Sequence, residues 1–176
     1  MLHTLRHGTR VRIRPVEPGD KSRLQRALGR LSPESVRRRF LAAKPVLSAA
    51  ELRYLTEVDG SHHLALLAVL ADDPEQVVGV ARCVRLEPGG ELAEFAIVVG
   101  DPFQREGLGT VLATALAEAA CRAGIRRFSA TTLADNDAAQ ALLETFAARL
   151  DQQAPVGGVR ELVAELPDCA GAARAA

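Results

Sequence analysis

The stretch AEFAIVVGDPFQREGLGT, residues 93–110, decides the fold of this chain. Its apolar beginning is typical of a strand over 93–99. Gly107 and Gly109 then mark a tight loop, and apolar residues return at helical spacing as far as residue 123. The stretch therefore predicts a strand, a glycine-spaced loop and a helix over 107–123.

The loop has the features of an anion site. A helix that begins directly after a glycine-spaced loop presents unpaired N–H groups at the positive end of its dipole, where a diphosphate is stabilised. The loop lacks the Gly-Lys-Ser/Thr of a P-loop and the Gly-x-Gly-x-x-Gly of a dinucleotide site. Its own pattern is Gln104-x-x-Gly107-x-Gly109. The alternative is a strand-to-helix turn that binds no ligand.

The composition indicates one globular domain, predicted over residues 1–167, with a short flexible tail over 168–176. Of the 176 residues, 48% are hydrophobic and 25% are charged. Lys+Arg and Asp+Glu both number 22, so the net charge gives no sign of a nucleic-acid or membrane partner. The oligomeric state is left open between a monomer and a homodimer.

The cysteines and histidines give no sign of a disulfide framework or a metal. Cys83, Cys121 and Cys169 are odd in number and lack a Cys-x-x-Cys spacing. With no signal peptide or apolar membrane span, they predict reduced thiols and a cytoplasmic location. His62 and His63 are adjacent on a predicted strand and so face opposite ways, which disfavours a metal pair. No metal is expected.

The remaining patterns predict an alternating α/β chain. A capping Ser32 before Pro33 and a capping box from Ser48 to Glu51 begin two helices. In order, the predicted elements are a strand at 11–14, helices at 24–31, from 33 and from 49, strands at 63–70, 76–86 and 91–99, the helix at 107–123, a strand at 126–133, a helix at 136–150 and a strand at 160–166.

This order and the loop pattern resemble the GNAT superfamily of N-acyltransferases over nearly the whole chain. The resemblance implies an α/β (α+β) fold: a mixed, mostly antiparallel sheet of about six to seven strands flanked by helices, with one splayed strand. Short phrases also resemble the catalytic domain of bacterial protein-lysine acetyltransferases. They are Leu31-Ser-Pro-Glu-Ser35, the Leu-Ser-x-x-Glu-Leu block at 47–52, and Ala93-Glu94-Phe95.

The resemblance implies that acetyl-CoA is the co-substrate and assigns residues to its parts. The backbone of the splayed strand would pair with pantetheine, and the loop N–H groups would hold the diphosphate. Asn136 would touch the cofactor's arm, although it also suits an ordinary helix N-cap. The residues assigned to cofactor binding are Ile97, Val98, Val99, Gln104, Arg105, Glu106, Gly107, Leu108, Gly109, Thr110 and Asn136.

Glu94 is the candidate general base. An amine such as lysine, with a pKa of about 10.4, arrives protonated and must lose a proton before it attacks a thioester. Glu94 lies on an otherwise apolar strand, and partial burial there would raise its pKa. The alternative is a solvent-facing carboxylate, and Glu91 is the fallback. The superfamily's tyrosine acid is missing from 145–149, since the only tyrosine is Tyr54.

The predicted function is transfer of an acetyl group from acetyl-CoA to a primary amine, most simply a protein lysine, in an enzyme of class EC 2.3.1. The basic run Arg37–Arg39 would meet acidic flanks of the target, or would simply be a solvated helix face. Two alternatives remain open: a non-catalytic acyl-CoA-sensing module, and an acetyltransferase of a small-molecule amine.

Overall fold

A computed structural model describes residues 1–43 and 46–167. The strands are β1 Leu2–Thr4, β2 Arg10–Pro15, β3 His63–Leu70, β4 Val77–Arg85, β5 Leu92–Val99, β6 Arg127–Leu133, β7 Arg149–Gln152 and β8 Val159–Glu165. The α-helices are α1 Lys21–Leu28, α2 Pro33–Phe40, α3 Ala49–Thr56, α4 Leu108–Arg122 and α5 Asp137–Glu144. None of the helices in these two ranges is long and apolar enough to cross a membrane.

The strands form a single sheet in the order β1-β2-β3-β4-β5-β6-β8-β7. Every neighbouring pair is antiparallel except β5 and β6, which run parallel. The α4 crossover between β5 and β6 supplies the long connection that a parallel pair requires. The predicted mixed, mostly antiparallel sheet is confirmed, with eight strands rather than six or seven.

Helix α4 packs on one face of the sheet and forms the larger core. Its Leu108, Leu112 and Leu116 are fully buried. Gly79 of β4 permits this close approach, because a Cβ on that residue would lie 2.7 Å from the Cδ1 atom of Leu112. The apolar stripe read from the sequence is therefore the surface by which α4 meets the sheet.

A second core on the opposite face joins α1 and α3 to β3 and β4. Asp20, at the start of α1, is fully buried there. Its carboxylate accepts hydrogen bonds from Arg14 at 2.6 and 2.7 Å and from Arg23 at 2.9 Å. Burial opposes ionisation, but the donors from Arg14, Glu17 and Arg23 outweigh it and hold the pKa of Asp20 below its usual range.

The structure differs from the sequence prediction in the length of one helix and in the presence of an additional strand. Helix α5 ends at Glu144, so the predicted helix over 136–150 is wrong beyond that residue. The apolar side chains of Phe146 and Leu150 are four apart, as in a helix, but residues 149–152 pair with β8 as an edge strand. β1 was also missed, because its three residues pair with β2 without any alternating pattern of their own. The predicted tail over 168–176 lies outside the described residues.

Cys83 and Cys121 differ in oxidation state. Cys83 is a free, buried thiol, and burial raises its pKa to about 12. Cys121 is disulfide-bonded, so the prediction of a reduced thiol is wrong for that residue. Cys169 lies outside the described residues. The cytoplasmic location stays a prediction.

Candidate functional site

The sheet is split between β5 and β6. The two strands are in register only from Leu92 opposite Arg127 to Glu94 opposite Ser129. Beyond Glu94 they separate, and the remainder of β5 has an open edge. The splayed strand predicted over 93–99 is therefore present.

Alternation along β5 decides which backbone groups face the gap. Gly100 donates to the Val78 carbonyl at 2.9 Å, and Leu86 donates to the Leu92 carbonyl at 3.1 Å. In an antiparallel pair every second residue bonds its partner, so the even-numbered residues of β5 bond β4. Ile97 and Val99 consequently face the gap. Val98, assigned to pantetheine on the resemblance, faces Val80 of β4 instead.

The loop before α4 presents a concentration of free donors. Within the described ranges, the backbone N–H groups of the six residues from Arg105 to Thr110 donate no hydrogen bond. Arg105 and Gly107 have positive φ angles of 62° and 90°, which turn successive N–H groups toward one side. A Cβ added at Gly107 would meet nothing within 4 Å. Six free donors above open space suit a diphosphate.

Two side chains of the loop are already engaged within the protein. Gln104 Nε2 donates to the Val99 carbonyl and to Ser35 Oγ, both at 3.1 Å. The carboxylate of Glu106 pairs with His7 Nδ1 and accepts from the His7 backbone N–H at 3.0 Å. The side chains of Gln104 and Glu106 therefore fix the shape of the loop through contacts within the protein, and their backbone forms part of the chain that enters it.

Asn136 lies at the far side of the gap. Its side-chain oxygen accepts from the Ala139 N–H at 3.3 Å and caps α5, as the cap interpretation predicted. Asn136 also lines a cavity of about 240 Å³ together with Ile97 and Thr132. Asn136 can therefore cap α5 and lie beside the gap between β5 and β6 at the same time.

Glu94 lines the same cavity, below the C-terminal half of α2. The residue is exposed, so the partial burial suggested by the sequence is not found. The exposed Glu91 lies beside the turn before β5, and its carbonyl accepts from Arg126 and Arg127. Glu91 is not among the residues lining the cavity, whereas Glu94 is.

The basic run on α2 divides into two parts. Arg37 and Arg38 are exposed and pair with Glu34 at 3.4 and 2.7 Å, as expected of a solvated face. Arg39 turns inward, and its guanidinium lies 4.9 Å from the ring centroid of Phe40. Burial lowers the pKa of Arg39, and the nearby carboxylate of Glu94 opposes that effect. A charged residue of the run therefore lies beside the candidate base.

Sequence reasoning missed three groups around the site. Asp101 bonds Ser32 and Ser35 at the start of α2, and Arg82 is buried beside His63. Tyr54, far upstream of the 145–149 stretch, packs its ring 4.9 Å from that of His63 and opposes the lowering of the pKa of Arg39 and Arg82. No sequence signal connects these residues, because their contacts depend on how α2 and α3 dock on the sheet.

A split, mostly antiparallel sheet with a free strand edge that leads into a glycine-spaced loop and a helix is the architecture of the GNAT acyltransferase fold. The Acetyltransferase (GNAT) family model matches residues 34–147. The chain belongs to this family and is an acyltransferase.

The relatives agree with that assignment. The chain is 35% identical over 82% of its length to Acetyltransferase Pat of Mycolicibacterium smegmatis, and covers 43% of that protein. It is 32% identical over 78% of its length to Acetyltransferase PA5475 of Pseudomonas aeruginosa, and covers 74% of it. The GNAT domain of S. lividans PAT superposes with a TM-score of 0.84 at 29% identity, covering 94% of this chain and 96% of that one.

Proposed function

We propose that this protein transfers the acetyl group of acetyl-CoA directly to the side-chain amine of a protein lysine. One observation carries the proposal: the open edge of β5 leads into a loop with six unpaired N–H donors. A pantetheine arm can add to an open strand edge, and a diphosphate suits the loop. The residues present therefore fit acetyl-CoA, which supplies a thioester as the acyl donor.

Each group of the chain has a role in the proposed reaction. The backbone of Ile97 and Val99 orients the pantetheine arm, and an N–H from the same segment polarises the thioester carbonyl. The carboxylate of Glu94 takes a proton from the lysine ammonium, whose pKa is about 10.4, so that the free amine attacks. No side chain is assigned as the acid, because a thiol with a pKa of about 8.5 leaves tolerably as a thiolate.

The protein-lysine acceptor rests on two supports. Two of the relatives carry the name Pat or PAT, and the phrases at 31–35 and 47–52 resemble protein-lysine acetyltransferases. The cavity beside Glu94 is also bordered by arginines of α2, which suit an acidic protein surface. A small-molecule amine remains the second candidate, since it requires the same base and the same cofactor gap.

Incubation with acetyl-CoA separates these functions. Purified protein is mixed with acetyl-CoA and either cell proteins, polyamines or aminoglycosides, and the release of free CoA thiol is followed. Acetylated lysines are then mapped by mass spectrometry. The Gly107→Glu variant serves as the matched control for non-enzymatic acetylation, because its loop is blocked. Brisk turnover of small amines with no modified protein would contradict the lysine proposal, and binding without turnover would indicate a sensor.

A further inference from the structure

A second cavity lies beside the candidate active site, between α1, α2 and the strands β4 and β5. Its volume is about 140 Å³, and its walls are mostly apolar, with Leu24 and Leu28 of α1 among them. Among its lining residues in the described part of the chain, the charged ones are all arginines: Arg30, Arg39 and Arg82. We call it the arginine cavity.

Arg82 is the innermost of the three. It is only 6% exposed, its Nη1 lies 3.1 Å from His63 Nε2, and its Nη2 donates to the Leu55 carbonyl at 3.3 Å. Burial, together with the charge of Arg39, lowers the pKa of Arg82 to about 10. At neutral pH the guanidinium therefore keeps its charge in an apolar wall.

Arg39 faces the same cavity. It is half-buried, and within residues 1–43 and 46–167 it makes no ion pair or hydrogen bond. No carboxylate of the described chain lies within 4.0 Å of either guanidinium. The carboxylate of Glu94 acts on Arg39 from beyond ion-pair distance, and Arg82 has no ion pair within the described residues. Two neighbouring cations without a directly paired carboxylate are costly in a partly apolar site. The arrangement is complementary to an anion from another molecule.

The arginine cavity adjoins the cavity that contains Glu94. Arg39, Phe40 and Ala96 line both. Ala96 and Val98 face the arginine cavity from β5, and Glu94 shares their side of the sheet because side chains alternate. Arg39 therefore borders both the arginine cavity and the cavity in which the acceptor amine is proposed to meet Glu94.

We propose that the arginine cavity is a specificity subsite for an aspartate or glutamate next to the target lysine in the acceptor polypeptide. The carboxylate accepts hydrogen bonds from Arg39 at the mouth of the cavity, and the field of Arg82 behind it adds attraction. The apolar walls take the methylenes of that side chain. This inference rests on the proposed lysine acetylation and names its sequence preference.

The test uses peptides that contain one lysine and one glutamate, placed in turn at each of the three positions before and after the lysine. Each has a matched peptide with glutamine in place of glutamate. We expect kcat/KM at one or more positions to favour glutamate by about 10- to 100-fold, as for a hydrogen bond to a charged group. Arg39→Gln should remove the preference, and Arg39→Glu should reverse it in favour of arginine-flanked peptides.

Arg37→Gln is the matched control, since Arg37 lines neither cavity and should leave the glutamate preference unchanged. Equal rates for all matched pairs would overturn the inference and leave lysine acetylation standing. A preference that survives Arg39→Gln would overturn it as well. If the enzyme preferred Nα-acetyl-lysine over its amide and showed no glutamate preference, the inference would be overturned, because Arg39 and Arg82 would then bind the α-carboxylate of the lysine itself. Turnover of polyamines alone would overturn both proposals.

Discussion

Ser35 Oγ donates a hydrogen bond of 2.7 Å to Asp101 Oδ1, and this bond joins α2 to the turn just before the anion loop. Ser32, the N-cap of α2, gives Asp101 two more hydrogen bonds, from its hydroxyl at 2.7 Å and its backbone N–H at 2.9 Å. Helix α2 carries Arg39 and Phe40, which line both cavities. The Asp101 carboxylate, together with the Gln104 side chain, therefore holds α2 against the segment that leads into the loop before α4.

Asp101→Asn tests this connection. The amide keeps one acceptor oxygen and places an NH₂ group against a serine donor, which should cost about 1–3 kcal/mol in the free energy of unfolding. The affinity for acetyl-CoA should also fall, because the loop loses its support. Urea unfolding and calorimetry measure the two effects. Asp73→Asn, in an exposed turn with one backbone donor at 3.2 Å, should change stability by about 0.5 kcal/mol or less. Equal effects in both variants would contradict the prediction.

Gly107→Glu should abolish acetyl-CoA binding. The residue has a φ of 90°, and the added side chain would project a carboxylate into the open space above the six loop donors. Gly60→Glu is the control, because Gly60 has a comparable φ of 73° and open surroundings away from the loop. Isothermal calorimetry compares the two. Wild-type affinity in the Gly107 variant would show that the loop does not hold the diphosphate.

Glu94→Gln should lower the rate by about 10²–10⁴ while leaving cofactor binding intact, since the size is kept and the basicity is lost. The residual activity should rise with pH toward the pKa of the acceptor amine. Initial rates over a pH series, together with acetyl-CoA calorimetry, provide the measurement. Glu91→Gln is the matched variant and should retain the wild-type rate. An unaltered rate and pH profile in Glu94→Gln would remove this residue from the mechanism.

The stability of the fold should decrease as the pH falls from 6.5 toward 4. Burial, together with the charge of Arg82, lowers the pKa of His63 from 6.5 to about 4. In that window the unfolded chain binds a proton that the folded chain excludes, so stability falls by up to about 1.4 kcal/mol per pH unit. Urea unfolding of wild type and His63→Gln, taken as a difference, isolates this group.

A second group titrates outside that window. Backbone N–H donors from 61–63 lower the pKa of Asp59 from 3.8 to about 2, so its contribution is lost only as the pH falls below 3.8. A wild-type curve parallel to that of His63→Gln between pH 4 and 6.5 would disprove the assignment to His63.

Local patterns predicted much of this fold. The helix start at Ser32-Pro33 and the capping box from Ser48 to Glu51 are observed as predicted, because a cap requires only neighbouring residues. The spacing of Gly107 and Gly109 likewise located the loop before α4, while its binding of an anion stays a prediction. By contrast, the spacing of Phe146 and Leu150 suits a helix, and only the pairing of residues 149–152 with β8 decides for a strand.

The backbone groups of the candidate site could be predicted from the sequence. The side-chain contacts could not, because they depend on how the helices pack on the sheet. The splayed strand was expected, and the gap-facing backbone of Ile97 follows from it, whereas the Val99 carbonyl accepts a hydrogen bond from Gln104. Gln104 was assigned to the cofactor, but its side chain supports α2 instead, which the loop pattern cannot reveal. Arg39 and Arg82 are far apart in sequence, and both line the arginine cavity only because α2 packs against β5, the neighbour of β4.

The short contact between β5 and β6 also bears on how the molecule holds together. Only three residue pairs of the ladder join the five strands before the gap to the three after it. The two blocks are expected to flex against one another along this line, where local opening costs least. A molecule bound in the gap would contact both blocks of the sheet and stabilise their relative position for as long as it is bound. The melting temperature would then rise with the concentration of the bound molecule.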